Sequence, residues 1–124
     1  DLKLTPIMIQ HWFLGDGCLY RDNNKKASWH IFIATNCFKI EDLENIIKPQ
    51  FLAMGIECKI KKNKSGPTLH IYASSFERFY EVIGGKSPVE CYNYKYKIVE
   101  ERFPHLLNVG SNSMDENLVL EDRL

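Results

Sequence analysis

One carboxylate, Asp16, stands between Gly15 and Gly17 at the end of a run that is apolar from Ile7 to Leu14 apart from Gln10 and His11. Thr5-Pro6 begins that run as a helix start. The threonine hydroxyl can accept from orphan amides, and proline at the first helical position loses no donor the helix needs. Gly15-Asp16-Gly17 stops the helix, with glycines that permit close backbone approach on both sides of the acid. With so few polar positions, the helix is expected to be buried nearly all round. The acid then lies at the negative end of the helix dipole, a poor place for an anion unless a cation joins it. That points to a metal. Carboxylate oxygens suit Mg²⁺, which takes one or two protein carboxylates and keeps water and phosphate as its other ligands. Mn²⁺ or Ca²⁺ can take its place for binding. On spacing alone, the same tripeptide also reads as an ordinary turn with no ligand.

Leu4-Thr5-Pro6 through Trp12-Phe13-Leu14-Gly15-Asp16-Gly17 resembles the diverged LAGLIDADG motif of homing endonucleases. Two later segments follow in the family's order. Thr35-Asn36-Cys37-Phe38, ahead of the acidic helix start Glu41-Asp42-Leu43, is similar to a T-x-S-F segment at a strand end. Pro88 with Cys91-Tyr92-Asn93-Tyr94-Lys95 is similar to a late P…S-M-x-Y-K segment. Together they cover Leu4 to Phe103.

The resemblance implies a site-specific endonuclease that hydrolyses double-stranded DNA with a divalent metal and is encoded by a mobile intron or intein. It puts Asp16 and Gly15 at the metal, Lys95 on the family's Y-K lysine near the scissile phosphate, and Asn36 on the water network. Lys97 would share the Lys95 face if that segment is extended. The residue types also fit two solvated lysines and an ordinary strand-end asparagine. A single motif implies a homodimer packed through the helix Thr5–Leu14, cutting a near-palindromic site. Gln10 and His11 replace the small residues usual at that interface, and Gly15 stands where many members carry another acid. These departures keep a second reading in view: a non-cleaving module on the same scaffold, either an RNA maturase for intron splicing or a DNA-binding regulator. A third is an intein-borne half-domain, inactive alone.

The elements that must position these residues follow from periodicity. After the Gly-Asp-Gly turn, residues 18–21 read as a strand, residues 22–26 as a polar loop, and residues 28–36 as its partner strand. A helix beginning near Glu41 carries Leu43, Ile46, Ile47, Phe51 and Leu52 at helical spacing, and Pro49 should kink or split it. Residues 56–62 and 68–73 alternate, with Ile56, Cys58, Ile60, Leu69, Ile71 and Ala73 on one side and Glu57, Lys59, Lys61, Thr68, His70 and Tyr72 on the other. A helix from Ser75 to Ile83, capped by Ser75 and ended by Gly84-Gly85, precedes a last helical segment over 92–103. The order is αββαββα, an α+β fold whose four-stranded antiparallel, saddle-shaped sheet carries its helices on one face. The other face, basic and aromatic, suits a DNA major groove. Strand alternation nominates Arg21, Lys25, Lys26, Ser28, His30, Lys59, Lys61, His70 and Tyr72 for DNA contact, each of which taken singly also reads as a plain surface residue.

Composition agrees with one globular domain over residues 1–108, followed by a flexible or linker tail over 109–124. The 124 residues are 44% hydrophobic and 26% charged, which argues against disorder, and no apolar run approaches a membrane span. Sixteen basic and sixteen acidic side chains cancel, whereas DNA-binding proteins commonly show a basic excess. A basic face opposite an acidic back reconciles the two. Cys18, Cys37, Cys58 and Cys91 have no paired spacing and read as free, mostly buried thiols of an intracellular protein, cytoplasmic or organellar.

Overall fold

The computed structural model describes residues 2–23 and 28–108. Helix α1, Pro6–Asp16, leads into strands β1, Gly17–Arg21, and β2, Trp29–Ala34. Helix α2 covers residues 40–53, strands β3 and β4 are Cys58–Asn63 and Gly66–Ile71, helix α3 is Phe76–Ile83 and helix α4 is Lys97–Arg102. The αββαββα order expected from periodicity is the order found. All strand pairs are antiparallel, in the spatial order β1-β2-β4-β3.

Alternation decides which side each strand residue serves. Trp29, Ile31 and Ile33 of β2 and Leu69 and Ile71 of β4 are buried against the helices. Register fixes them there: Ile31 lies opposite Leu19 and Ile71, and Ile33 opposite Leu69. Phe13 of α1 fills the centre, edge-on to Phe79 at 5.1 Å and to Tyr80 at 6.1 Å. Gln10 is drawn into this core because its amide donates to Ile83 O at 2.9 Å.

Local details differ from the periodic reading in several places. Pro49 divides α2 into segments, as expected, but through a change of helix type. Residues Leu43–Ile47 form a wider π turn, in which the Lys48 amide donates to Leu43 O, and the α-helical turn Lys48–Ala53 restarts with proline at its beginning. The wide turn absorbs the missing donor where a regular helix would clash. Ser75 does not cap α3; its hydroxyl accepts from the Glu57 amide at 2.8 Å and ties the start of α3 to β3. The last segment is not one helix, since a 3₁₀ stretch, Glu90–Tyr96, precedes α4. Among the cysteines, all free, only Cys58 is buried, while Cys37 and Cys91 are exposed. Among the described residues no helix is long and apolar enough to cross a membrane. The tail expected over 109–124 lies outside the described residues.

Candidate functional site

Helix α1 is built to end at Asp16. The Thr5 hydroxyl accepts from the Met8 amide at 3.2 Å, and at the other end the Gly17 amide donates to Phe13 O. A Cβ at Gly17 would fall 2.3 Å from the Phe13 ring and 2.4 Å from its carbonyl oxygen, so only glycine lets the chain turn straight from helix into strand. Gly15 differs: a Cβ there meets nothing within 4 Å. Both Gly15 and Asp16 are exposed. Since Gly17 pairs with Ile33, the helix delivers the acid to the sheet end where Ala34, Thr68 and Lys61 lie side by side.

Lys95 meets the problem posed by an acid at a helix C-terminus. Its side chain is buried, 4% exposed, and its ammonium donates to Phe13 O at 3.1 Å and to Leu14 O. The Tyr92 ring lies 5.0 Å from the ammonium and the Phe13 ring 5.8 Å. A cation is favourable where the last carbonyls of a helix lack amide partners. Burial lowers the Lys95 pKa from its ordinary value, while Cys18 and Asp16 nearby push it up. The ammonium is thus spent on the helix end. Lys97 does not share its face, because residues 90–96 are helical rather than extended; Lys97 is exposed at the start of α4. Asn36 is exposed in the turn after β2, packed against Gly66, whose added Cβ would fall 2.5 Å from that of Asn36.

The open face of the sheet is arranged in cross-strand rows. One row runs Cys18, Phe32, His70, Lys59 across the four strands, and another sets Ala34, Thr68 and Lys61 in line. Tyr20 stacks on its partner His30 at 4.8 Å, and Phe32 on His70 at 5.3 Å. His70 Nε2 lies 2.9 Å from the Thr68 hydroxyl, which also accepts from Asn63. Burial, helped by Lys61, Lys59 and His30, pulls the His70 imidazole down to about 4, so it is neutral at physiological pH. Not one Asp or Glu occurs in the four strands.

Several expected contact residues gather here. Ser28, His30, Lys59, Lys61, His70 and Tyr72 help line one groove of about 330 Å³ that also reaches the helix-side residues Trp29, Ile31, Ile71 and Phe76. Lys59 sits 5.7 Å from the Tyr72 ring. Arg21 is placed elsewhere. It lies opposite Trp29, on the helix side, with its guanidinium 5.2 Å from that ring and 3.4 Å from Glu101. Lys25 and Lys26 lie outside the described residues. Tyr20, Phe32, Ala34 and Thr68 were not among the expected contacts, although parity with His30 and His70 was enough to find them.

The first helix is not buried all round. Ile7 is 49% exposed and Met8 39%, and with His11 and Gly15 they form an outer stripe at helical spacing. Of the two polar residues within the apolar run, His11 faces outward and Gln10 does not.

Residues 2–79 match the model of a family described as the LAGLIDADG DNA endonuclease family. The chain is 28% identical over 96 residues to the probable intron-encoded endonuclease 1 of Wickerhamomyces canadensis, a match covering 77% of this chain and 40% of that protein. It is also similar to the homing endonuclease I-WcaI in the solved structure with its DNA recognition sequence. That likeness has 29% identity and a TM-score of 0.61, covering 75% of this chain and 41% of the other. The chain therefore spans about two fifths of the length of both proteins.

Proposed function

This chain belongs to the LAGLIDADG DNA endonuclease family, and on that footing we propose that it is one half of a divalent-metal-dependent endonuclease that cuts double-stranded DNA at a specific site. The observation that carries this reading is the exposed Asp16 at the tip of α1, set at the end of a sheet face whose strands contain no acid. The carboxylate of Asp22 lies 3.5 Å from His30 Nε2, whereas a carboxylate held at the helix tip, as Asp16 is, is of little use to DNA binding alone, since it repels phosphate.

The donor set suits a shared metal. Among the described residues no group of three His, Cys, Asp or Glu comes together, so one chain has no cage of its own. Mg²⁺ requires no cage: one or two carboxylates with water and phosphate are enough. Asp16 and the Gly15 carbonyl would hold the ion from this half, and Asp16 of a second half from the other. When bound, Mg²⁺ supplies polarisation of the phosphoryl oxygens and a lower pKa for the attacking water. The chain's own residues prepare for it. Lys95 offsets the negative end of α1, beside which Asp16 stands. Lys59 and Lys61 hold phosphates on the β3 side of the sheet, and Asn36 orders water at the sheet end.

A second α1 is required opposite the first, and the Ile7–His11–Gly15 stripe is the surface that receives it. The open space at Gly15 supports a close helix–helix approach there. We infer that a second copy of the chain supplies it.

The test is cleavage of a duplex library in Mg²⁺, with Asp16→Asn beside the unaltered chain. The unaltered chain is expected to cut a subset of sequences on both strands. Asp16→Asn should bind the same sequences and cut none. Equal cutting by the variant would remove Asp16 from the mechanism, and specific binding without cutting by either would favour the non-cleaving module.

A further inference from the structure

Resting on the proposal that the open sheet face holds duplex DNA, we propose that Phe32 reads the C5-methyl group of a thymine, making it a specificity-determining residue of the half-site. The argument starts from where charge lies on the face. All its lysines among the described strand residues are on β3, at one edge: Lys59 and Lys61. The β1–β2 half carries Cys18, Tyr20, His30, Phe32 and Ala34. Phosphate contacts position a protein on DNA, whereas base edges specify sequence. A lysine-bearing edge beside an aromatic interior divides those two tasks between strands.

Phe32 is the most apolar of the side chains in the middle of that interior. It sits in the row Cys18, Phe32, His70, Lys59, only half-buried, on strand β2 between β1 and β4. Its neighbours restrict what it can do. His70 stacks on one ring face at 5.3 Å and 27°, and Tyr20 lies at 6.0 Å and 72°. A ring held in this way is not free to stack between bases; it offers its edge to whatever enters. The imidazole behind it is uncharged and tied to Thr68, so it adds no pull toward phosphate. In the major groove each base pair offers hydrogen-bond donors and acceptors, and a thymine adds one apolar group, its methyl. An aromatic edge without a polar atom is complementary to that group and would desolvate the others without pairing them.

The experiment removes the methyl from the DNA instead of altering the protein. Duplexes are first selected from a randomised pool by the chain in Ca²⁺, and each selected thymine is then replaced by deoxyuridine, with binding read by fluorescence anisotropy. Burying one methyl is equivalent to about a fourfold change in affinity. Wild type is therefore expected to lose about fourfold at one thymine per half-site, and Phe32→Ala to bind the thymine and deoxyuridine duplexes equally. Phe32→Leu, which keeps an apolar strand residue, should retain part of the discrimination. Equal binding of both duplexes by wild type at every selected thymine overturns the proposal while leaving DNA recognition intact. So does full discrimination by Phe32→Ala. A pool that yields no selected sequence overturns the DNA reading itself and this inference with it.

Discussion

Replacing Lys95 by methionine tests whether its ammonium is anchored at the end of α1. Methionine keeps the length and apolar bulk of the stem while removing both donated hydrogen bonds, to Phe13 O and Leu14 O. Charge-assisted bonds contribute about 1.5–3 kcal/mol each, but removing a buried charge also relieves its desolvation. Phe13 O keeps the Gly17 amide as a partner. Leu14 O loses the ammonium, and a buried carbonyl left unmatched costs about 1–3 kcal/mol. The net expectation is a loss of about 2 kcal/mol. At roughly 4 °C per kcal/mol for a domain of this size, Tm falls by about 8 °C. Thermal unfolding followed by circular dichroism, without DNA or metal, reads this directly. The effect also has a pH signature. Because the folded pKa lies below the ordinary lysine value of 10.5, the folded chain binds fewer protons than the unfolded chain between the two. Wild-type stability attributable to this group therefore rises with pH through that window and levels off above 10.5, and the methionine variant lacks the rise. A Lys95→Met chain with unchanged Tm but no cutting would refute the reasoning and place the ammonium at the phosphate.

The two glycines beside Asp16 are expected to respond in opposite ways. Gly17→Ala forces a Cβ into Phe13 and should cost about 1–3 kcal/mol in denaturant titrations, whereas Gly15→Ala, an exposed helical position with open space, should gain up to about 1 kcal/mol in the isolated chain. If the outer stripe of α1 receives a second helix, Gly15→Ala also weakens self-association in sedimentation; unchanged association would clear that face of the role. His70 supplies an acid-side test. Its folded pKa of about 4 is below the ordinary 6.5, so the stability it contributes is present above 6.5 and is lost as pH falls through that window toward 4. His70→Gln should flatten the wild-type stability profile between those values, and an identical profile would show that the imidazole is not held neutral.

The order of elements was readable because it depends on local pattern. Period-two alternation in 56–62 and 68–73 and the Thr5-Pro6 start are properties of neighbouring residues; the helix starts where expected, and the two strands form with bounds shifted by one or two residues, at Cys58–Asn63 and Gly66–Ile71. Features that depend on distant partners were not. Ser75 looks like a cap, yet its hydroxyl is taken by the Glu57 amide, 18 residues away in sequence. Gln10 looks like an interface polar residue, yet Ile83 O draws it inward. Arg21 joins the basic residues in composition, but strand parity sends it to the helix side, against Trp29 and Glu101.

Sequence by itself determined that a single acid ends an apolar helix between two glycines, that two hairpins follow the helices, and that lysines and histidines share one strand parity. Those are consequences of residue type and spacing, which need no knowledge of what lies across the fold. Tertiary structure alone decided what surrounds the acid: Lys95, 79 positions later in the chain, turned into the carbonyls of α1 rather than outward, and Phe32 and His70 brought face to face by the β2–β4 register. Both follow from packing and register between segments far apart in sequence, where burial and unmatched backbone groups, not local preference, determine where a side chain points.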